Sequence, residues 1–236
     1  MRIFHDVHAE QGDSLQWREA LAAASAAVAA GEVICLPTDT VYGIGADPFN
    51  ADAVTALLSA KSRTRAMPPP VLVANAEQAS SLVDPAAQGG QLAEAVHALI
   101  ENFWPGELTI ILPAAPTIGW DLGETNGTVA LRMPDHPVAL ALLTAVGPLA
   151  VTSANQTGQP PATTAAQAIE QLGEAVSVYL DAGASPVGVP STIVRLTSAA
   201  PRQVELVRLG ALTPAEIVRT TGLDVSGGAD MNGSRS

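Results

Sequence analysis

The sequence predicts one α/β domain that is built on a mixed β-sheet. Stretches with helical periodicity alternate with short apolar runs along most of the chain, which is typical of α/β proteins. Three strand-like runs then follow in near succession, and this argues against a purely doubly wound parallel sheet. The chain has 236 residues, of which 47% are apolar, so it is long and apolar enough for one sizeable domain.

Caps, breakers and periodicity place the elements of the first half. Ser14 is a candidate N-cap of a helix that Gly31 ends, and a buried strand follows at 33–36. Asn50 is a candidate cap of a second helix, whose apolar residues recur at helical spacing over 51–60. The other elements predicted here are a strand at 71–74, a helix at 91–104, and strands at 107–112 and 128–132.

The second half follows the same rules and ends in the three successive strands. Its predicted elements are a helix at 136–146, a strand at 148–154, a helix at 164–172, strands at 176–180, 191–196 and 203–209, and a helix at 213–220. The last residues are rich in glycine and serine, which is typical of disorder. We therefore predict three parts: an N-terminal segment at 1–13, one domain at 14–223, and a disordered tail at 224–236.

Composition and charge restrict the kinds of function. The formal net charge is −12, and a field of that sign repels the phosphate backbone of nucleic acids. A local cluster of cations must therefore hold any anionic ligand. The single cysteine, Cys35, lies in an apolar run, and the N-terminus lacks the basic start and apolar stretch of a signal peptide. We therefore expect a cytoplasmic protein.

Basic residues are concentrated at one place in this acidic chain. Lys61 is the only lysine, and it stands in KSRTR at the end of a predicted helix, shortly before three consecutive prolines. Cations at a helix C-terminus favour the helix dipole, so one arginine there would need no other explanation. Three cations in five positions favour instead a polyphosphate-binding cluster, in which lysine is a point charge and arginine a planar fork.

Two loops are rich in hydroxyl, amide and carboxyl groups. The loop LPTDTVYGIG at 36–45 packs three hydroxyls and a carboxylate into seven residues. The stretch VTSANQTG at 151–158 follows a predicted strand, at the position where ligands of α/β proteins commonly bind. Its serine, asparagine and glycine suit contacts with phosphate or ribose, although an ordinary Asx or ST turn explains this stretch taken alone.

Several familiar chemistries are excluded by the sequence. The phosphate loop G-x-x-x-x-G-K-[ST] is absent, and Pro48 stands where a dinucleotide fingerprint needs its third glycine. One cysteine and four histidines show no zinc-ligand spacing, and no G-x-S-x-G elbow occurs. The remaining polar and cationic groups suit positioning and charge stabilisation in a phosphoryl-type reaction.

Seven sequence blocks occur in the order seen in one family. They are LPTDTVYGIGADPF, AKSR, FWPGELTIIL, TVALRMPDHP, VTSANQTG, STIV and VRLG, and they fall within about 20–223. The chain therefore resembles the YrdC/TsaC family of threonylcarbamoyl-AMP synthases, in the short form without an extra carboxyl-terminal domain. The resemblance implies a YrdC-like fold, in which a twisted mixed sheet flanked by helices forms a positively charged concave cavity.

The resemblance also implies an enzymatic reaction. It implies a nucleotidyltransferase that makes L-threonylcarbamoyladenylate and pyrophosphate from L-threonine, bicarbonate and ATP, for N6-threonylcarbamoyladenosine modification of tRNA. Mg²⁺ is expected to arrive with ATP and to be held by phosphates and water, so no protein metal ligands are expected. The product is expected to pass to a tRNA threonylcarbamoyl-transfer complex, with no stable binding of nucleic acid and no membrane association.

Nine residues match positions to which the family assigns a role. The set expected at ATP is Lys61, Arg63, Ser153, Asn155 and Arg208, with Lys61 and Arg63 as the expected catalytic residues. The set expected at L-threonine is Thr38, Thr128, Arg132 and Ser191. Asp39 is expected either to bind the substrate ammonium group or to cap its turn. The strip KSRTRAMPP departs from the family pattern at Thr64 and Met67, and Arg65 is the candidate to replace the polar contact expected at Met67.

Alternative functions remain open on the sequence alone. A paralogue of the YciO type would share the fold, and an RNA-binding or ribosome-maturation module is known among relatives. The acidic net charge and the lack of an aromatic–basic surface pattern argue against the RNA-binding module. A carbamoyl-transfer role, as in hydrogenase maturation, would need a zinc-finger segment, which a single cysteine excludes.

Overall fold

An eleven-stranded mixed β-sheet organises the molecule. The structure is a computed structural model that describes residues 1–7 and 14–227. The strands are β1 (Arg2–Phe4), β2 (Ile34–Leu36), β3 (Gly43–Ala46), β4 (Val71–Leu72), β5 (Leu108–Pro113), β6 (Thr128–Arg132), β7 (Leu149–Ser153), β8 (Val178–Leu180), β9 (Thr192–Thr197), β10 (Ala200–Arg208) and β11 (Asp224–Ser226). Their order across the sheet is β1-β8-β2-β3-β7-β4-β6-β5-β9-β10-β11.

The sheet combines parallel and antiparallel pairs, which confirms the predicted mixed α/β class. The parallel pairs are β1–β8, β8–β2, β4–β6, β5–β9 and β10–β11. The other five pairs are antiparallel. The antiparallel β3 lies between β2 and β7, and this places Gly43 directly opposite Ser153. Two polar loops that are distant in sequence therefore meet at one edge of these strands.

Seven α-helices within the described residues pack on the sheet, and the best-predicted ones have clear caps. They are α1 (Leu15–Ala29), α2 (Ala51–Ala60), α3 (Ala76–Leu82), α4 (Gly90–Phe103), α5 (Pro137–Val146), α6 (Ala165–Leu172) and α7 (Pro214–Thr221). The Ser14 hydroxyl accepts from the Trp17 amide at 3.1 Å, which satisfies one free N–H at the start of α1. The Asn50 side chain accepts from the Asp52 and Ala53 amides, so both predicted caps are confirmed.

Side-chain alternation along the strands divides the core between the two faces of the sheet. Ile34 and Leu36 pack with α1 and α5, whereas Cys35 between them packs in the larger cluster on the other face. In the part of the sheet made by β5, β6 and β9, Ile110 and Val194 belong to the larger cluster. The opposite face of these three strands is left to form the floor of a cavity.

One α-helix and three strands of the described residues were not predicted by the sequence analysis. Helix α3 and the short strands β1, β3 and β11 are the additions. The predicted loop over 43–46 is a strand because glycine permits close packing: a Cβ on Gly43 would lie 2.6 Å from Val151 Cγ1. Strands β1 and β11 extend the sheet into the predicted N-terminal segment and tail. The rest of those two regions, 8–13 and 228–236, lies outside the described residues.

Candidate active site

A cavity of about 600 Å³ lies on the face of the sheet opposite α4. Alternate residues of β5, β6 and β9 form its floor, with Thr109, Ile111, Ala130 and Ile193 among them. The walls are the loop after β2, the end of β7, and the segments 66–70 and 124–126. The strand register separates a polar end near Thr109 from an apolar middle at Ile111 and Ala130, which lie side by side.

Lys61 is buried directly behind the end of β7. It caps the carboxyl end of α2, and its side chain is 1% exposed. Its ammonium group donates to the Ser153 carbonyl, to Ser153 Oγ at 3.1 Å, and to Asn155 Oδ1 at 2.8 Å. These contacts use all three N–H groups of the lysine. Lys61 therefore fixes the turn at Ser153 and Asn155 and points away from bulk solvent.

The charge of Lys61 is held at a cost. Burial, together with the smaller effect of the neighbouring Arg63, lowers the pKa of Lys61 from 10.5 to about 7. Within 1–7 and 14–227, no carboxylate forms an ion pair with this lysine. A buried ammonium group without a carboxylate favours the arrival of an anion.

Arg63 and Arg208 line the cavity and also lack a carboxylate partner among the described residues. Arg63 donates to Thr152 Oγ1 at 2.9 Å, and its buried Nε has no hydrogen-bond partner. Arg208 donates to the Ser191 carbonyl at 2.6 Å and to Ser191 Oγ at 3.2 Å. Burial lowers the pKa of Arg208, and repulsion from Arg132 and Arg63 contributes smaller effects in the same direction. The cations are thus close enough to repel one another, which suits a ligand with several negative charges.

Arg132 differs from these cations because it is paired. Its Nη2 donates to Asp39 Oδ1 at 2.6 Å and its Nη1 to Thr40 Oγ1 at 2.8 Å. Its Nε donates to the Gly106 carbonyl at 2.8 Å. Burial lowers the pKa of Arg132, while Asp39 raises it. The loop after β2, which is rich in polar groups, therefore binds an arginine of β6. Asp39 also accepts a hydrogen bond from the Asp135 amide.

The hydroxyls expected at threonine lie in two different parts of the cavity. Thr38 is buried beside Thr40, and Ser191 is 2.8 Å from Thr109 Oγ1 at the polar end. Thr128 is four residues before Arg132 on one strand, which is roughly 13 Å along it. Its hydroxyl donates to the Thr125 carbonyl, whereas Arg132 reaches the other way, towards Gly106. Thr128 thus belongs to the far wall of the same cavity.

Comparison with known proteins identifies the family. Residues 26–210 match the family described as Sua5/yciO/yrdC, telomere recombination. The chain belongs to this family. The fold agrees with that of a solved relative, because the crystal structure of Pyrococcus abyssi Sua5 complexed with L-threonine superposes with a TM-score of 0.82 at 30% identity. That superposition covers 96% of this chain and 63% of the Sua5 chain.

Two relatives of the Sua5/yciO/yrdC family show how much of the sequence is shared. A protein of Mycobacterium tuberculosis is 47% identical over 214 residues, which is 91% of this chain and 94% of that protein. The threonylcarbamoyl-AMP synthase of Bacillus subtilis is 37% identical over 204 residues, which is 86% of this chain and 56% of its own length. This chain therefore spans nearly all of the first relative and less than two thirds of the second relative and of Sua5.

Most residues that the resemblance placed at the site line this one cavity. They are Thr38, Arg63, Thr128, Arg132, Ser153, Ser191 and Arg208. Lys61 and Asn155 lie behind Ser153 and hold it in place. The sequence analysis missed Thr40, Thr152 and the cavity-lining Arg195, and it left the role of Asp39 open. For Asp39 and Thr40 the available signal was the density of polar groups in their loop.

The strip that departs from the Sua5/yciO/yrdC family pattern forms part of the cavity mouth. Met67 lines the cavity and is 56% exposed. Arg65 pairs with Asp121 on the facing loop and is absent from the described residues that line the cavity. Arg65 therefore does not supply the polar contact that was expected at Met67. It ties together the two segments that bound the mouth.

Two negative findings concern the described residues only. Within 1–7 and 14–227, no group of three histidine, cysteine, aspartate or glutamate side chains could hold a metal ion. In the same part of the chain, no helix has the length and apolar character that crossing a membrane requires.

Proposed function

We propose that this protein is a threonylcarbamoyl-AMP synthase, which forms L-threonylcarbamoyladenylate and pyrophosphate from L-threonine, bicarbonate and ATP. The observation that carries the proposal is the division of charge in one cavity. Lys61, Arg63 and Arg208 have no carboxylate partner within 1–7 and 14–227, whereas Arg132 is neutralised by Asp39. The name of the Bacillus subtilis relative and the threonine complex of Sua5 support the same reaction.

The two groups of cations suit two different substrates. The unpaired cations favour a polyanion, and the triphosphate of ATP is the substrate with that charge. Arg63 and Arg208 face the cavity, and Lys61 adds its potential from behind Ser153. The paired Arg132 favours a single carboxylate, which is the charge that L-threonine presents. The cavity thus has separate binding regions for ATP and for L-threonine.

The reaction needs positioning and charge stabilisation, with no covalent enzyme intermediate. The threonine amine attacks carbon dioxide derived from bicarbonate and loses a proton, which gives a carbamate. A carbamate oxygen then attacks the α-phosphorus of ATP, and the bond from that phosphorus to the bridging oxygen breaks. The leaving pyrophosphate takes the electron pair of that bond, and Lys61, Arg63 and Arg208 stabilise its charge. This is a nucleotidyl transfer to the carbamate.

Mg²⁺ bound with ATP fits this donor set as an ion held by phosphates and water. Glu124 is the one carboxylate among the described residues that line the cavity, so an all-protein cage is not available there. The ion would supply further neutralisation of the phosphate charge. The product is a labile mixed anhydride, and we propose that it passes to a separate tRNA threonylcarbamoyl-transfer complex in the cytoplasm.

Incubation with ATP, bicarbonate, MgCl₂ and single amino acids tests this function. We expect pyrophosphate release with L-threonine, and release that stops when bicarbonate is removed. L-serine and L-valine are matched controls, because each keeps part of the shape of threonine. Pyrophosphate that forms equally without an amino acid would contradict the proposal. Failure to form it with any amino acid would favour a YciO-type paralogue or an RNA-binding module.

A further inference from the structure

The Arg132 guanidinium is held by three different parts of the chain. An arginine side chain carries five N–H groups. Three of them are used by Asp39 Oδ1, Thr40 Oγ1 and the Gly106 carbonyl. One N–H remains on each terminal nitrogen. Arg132 lines the cavity, so these two N–H groups are available to a ligand there.

The hydroxyl next to Arg132 has a fixed orientation. Thr38 donates its single hydroxyl proton to the Val41 carbonyl at 2.6 Å, because a carbonyl can only accept. In the 3.1 Å contact between Thr38 and Thr40, Thr40 must therefore be the donor. The lone pairs of Thr40 are then left for Arg132. The chain of hydrogen bonds runs one way, from Arg132 through Thr40 and Thr38 to Val41.

Asp39 and Arg132 are an unusually protected ion pair. Their side chains are each 7% exposed, and the Arg132 contact is made through Oδ1 only. The second oxygen, Oδ2, is buried without a hydrogen-bond partner. Burying a carboxylate with one oxygen unsatisfied is unfavourable for stability alone. The arrangement is explained if it serves to orient the arginine.

We propose that Asp39 and Thr40 are positioning residues that hold the Arg132 guanidinium in one orientation, so that its two remaining N–H groups bind the carboxylate of the amino-acid substrate. This inference rests on the proposed function, since it assigns the amino acid to Arg132. It explains why the loop after β2 concentrates polar groups. Their direct partner is an arginine of the sheet, and the substrate contact is made through it.

Substitutions at Thr40 and Asp39 test the proposal by separating the two substrates. Thr40→Val removes the oxygen that accepts from Arg132 and keeps the shape of the side chain, whereas Thr40→Ser keeps the oxygen. Asp39→Asn removes the charge. Asp135→Asn is the matched charge control, because its exposed side chain is not the group that contacts Asp39. Pyrophosphate release gives the KM for threonine and for ATP, and urea unfolding identifies variants that do not fold.

We expect Thr40→Val and Asp39→Asn to raise the KM for threonine by about tenfold or more, with the KM for ATP changed less than about twofold. Thr40→Ser and Asp135→Asn should stay within about threefold of the parent protein. Equal increases in both KM values, or an unchanged KM for threonine, would overturn the positioning role. If the parent protein releases no pyrophosphate with threonine, the proposed function fails, and the inference fails with it. If the parent is active and Thr40→Val binds threonine normally, the inference alone fails.

Discussion

At the scale of single residues, Lys61 has two consequences, one for binding and one for stability. Its ammonium group connects the end of α2 to the turn after β7, through Ser153 and Asn155. The oxygens that it contacts carry no formal charge, so the protein does not neutralise it. A nucleotide phosphate would neutralise the ammonium group of Lys61. The favourable charge interaction therefore forms only when the nucleotide is bound.

The pH dependence of unfolding tests the state of Lys61. Its pKa is about 7 in the folded protein and near the ordinary 10.5 when unfolded, because burial disfavours the charged form. Between these values the unfolded chain binds more protons, so the free energy of unfolding should rise with pH, by at most about 1.4 kcal/mol per pH unit. Urea unfolding at several pH values measures the slope. In Lys61→Met this contribution should vanish. Identical slopes in both proteins would show that the pKa of Lys61 is not lowered in the folded protein.

The unpaired arginines should matter for ATP and not for folding. We expect Arg63→Gln and Arg208→Gln to raise the KM for ATP by roughly 10- to 100-fold, because each removes a charge-assisted hydrogen bond to phosphate. The melting temperature without ligand should not fall, because each change also removes repulsion between cations. Arg18→Gln on α1 is the control, since that arginine is exposed and is not among the described residues that line the cavity. Loss of stability without loss of ATP affinity would contradict this assignment.

The sequence alone revealed the cations but not their arrangement. Lys61 and Arg63 stand out because they are close in a chain with 11 basic residues. Arg132 and Arg208 end two different strands and look like ordinary rim residues until the sheet brings them together. Before the structure was known, only the family resemblance predicted that Arg132 and Arg208 belong to one site. The ion pair of Asp39 and Arg132 was not predicted, because 93 residues separate its members and no local pattern reports such a contact.

At the scale of secondary-structure elements, two loops meet over the mouth of the cavity. The segment 62–70 and the loop 121–127 are joined by the Glu124 amide, which donates to the Arg65 carbonyl at 2.9 Å, and by the pair of Arg65 and Asp121. Gly123 lies against the same carbonyl with φ +102°. A Cβ at this position would lie 2.3 Å from the Arg65 oxygen, so only glycine permits this contact.

Gly123→Ala should therefore separate the two loops. We expect a lower kcat/KM, by about tenfold, with a smaller effect on the melting temperature, because the loops lie at the surface and carry the cavity mouth. Gly119→Ala is the matched control, because an added Cβ there has no atom within 4 Å and the backbone is not left-handed. Steady-state kinetics and thermal unfolding of both variants give the comparison. Equal effects from the two substitutions would show that the contact between Gly123 and the Arg65 carbonyl has no special importance for activity.

Elements with strong local signals were predictable, and those fixed by their neighbours were not. Helices α1 and α2 combine a capping side chain with helical periodicity, so their bounds agree closely with the prediction. Strand β3 has the sequence GIGA, and it is a strand because small residues fit against Val151 of β7. The three-residue strands β1 and β11 are added at the edges of an existing sheet, where pairing decides the structure more than propensity does.

At the scale of the whole molecule, charge is segregated. The chain carries a net charge of −12, yet four arginines line the cavity and the only lysine lies behind it. Fields at the surface are screened beyond about 8 Å at physiological salt, whereas the cations in the cavity act on a ligand in direct contact. ATP can therefore bind inside a molecule whose outer surface repels long polyanions.

This segregation predicts that the protein binds ATP but not tRNA. Labelled tRNA titrated with up to about 10 μM protein at roughly 0.15 M salt should show no saturable change in anisotropy. ATP binding by calorimetry in the same buffer is the positive control. A tRNA affinity that falls steeply with salt, in a protein that consumes no ATP, would instead support the RNA-binding alternative. The expected result would support the proposed transfer of the adenylate to a second protein that binds the RNA, because this protein combines a cationic cavity with an anionic exterior.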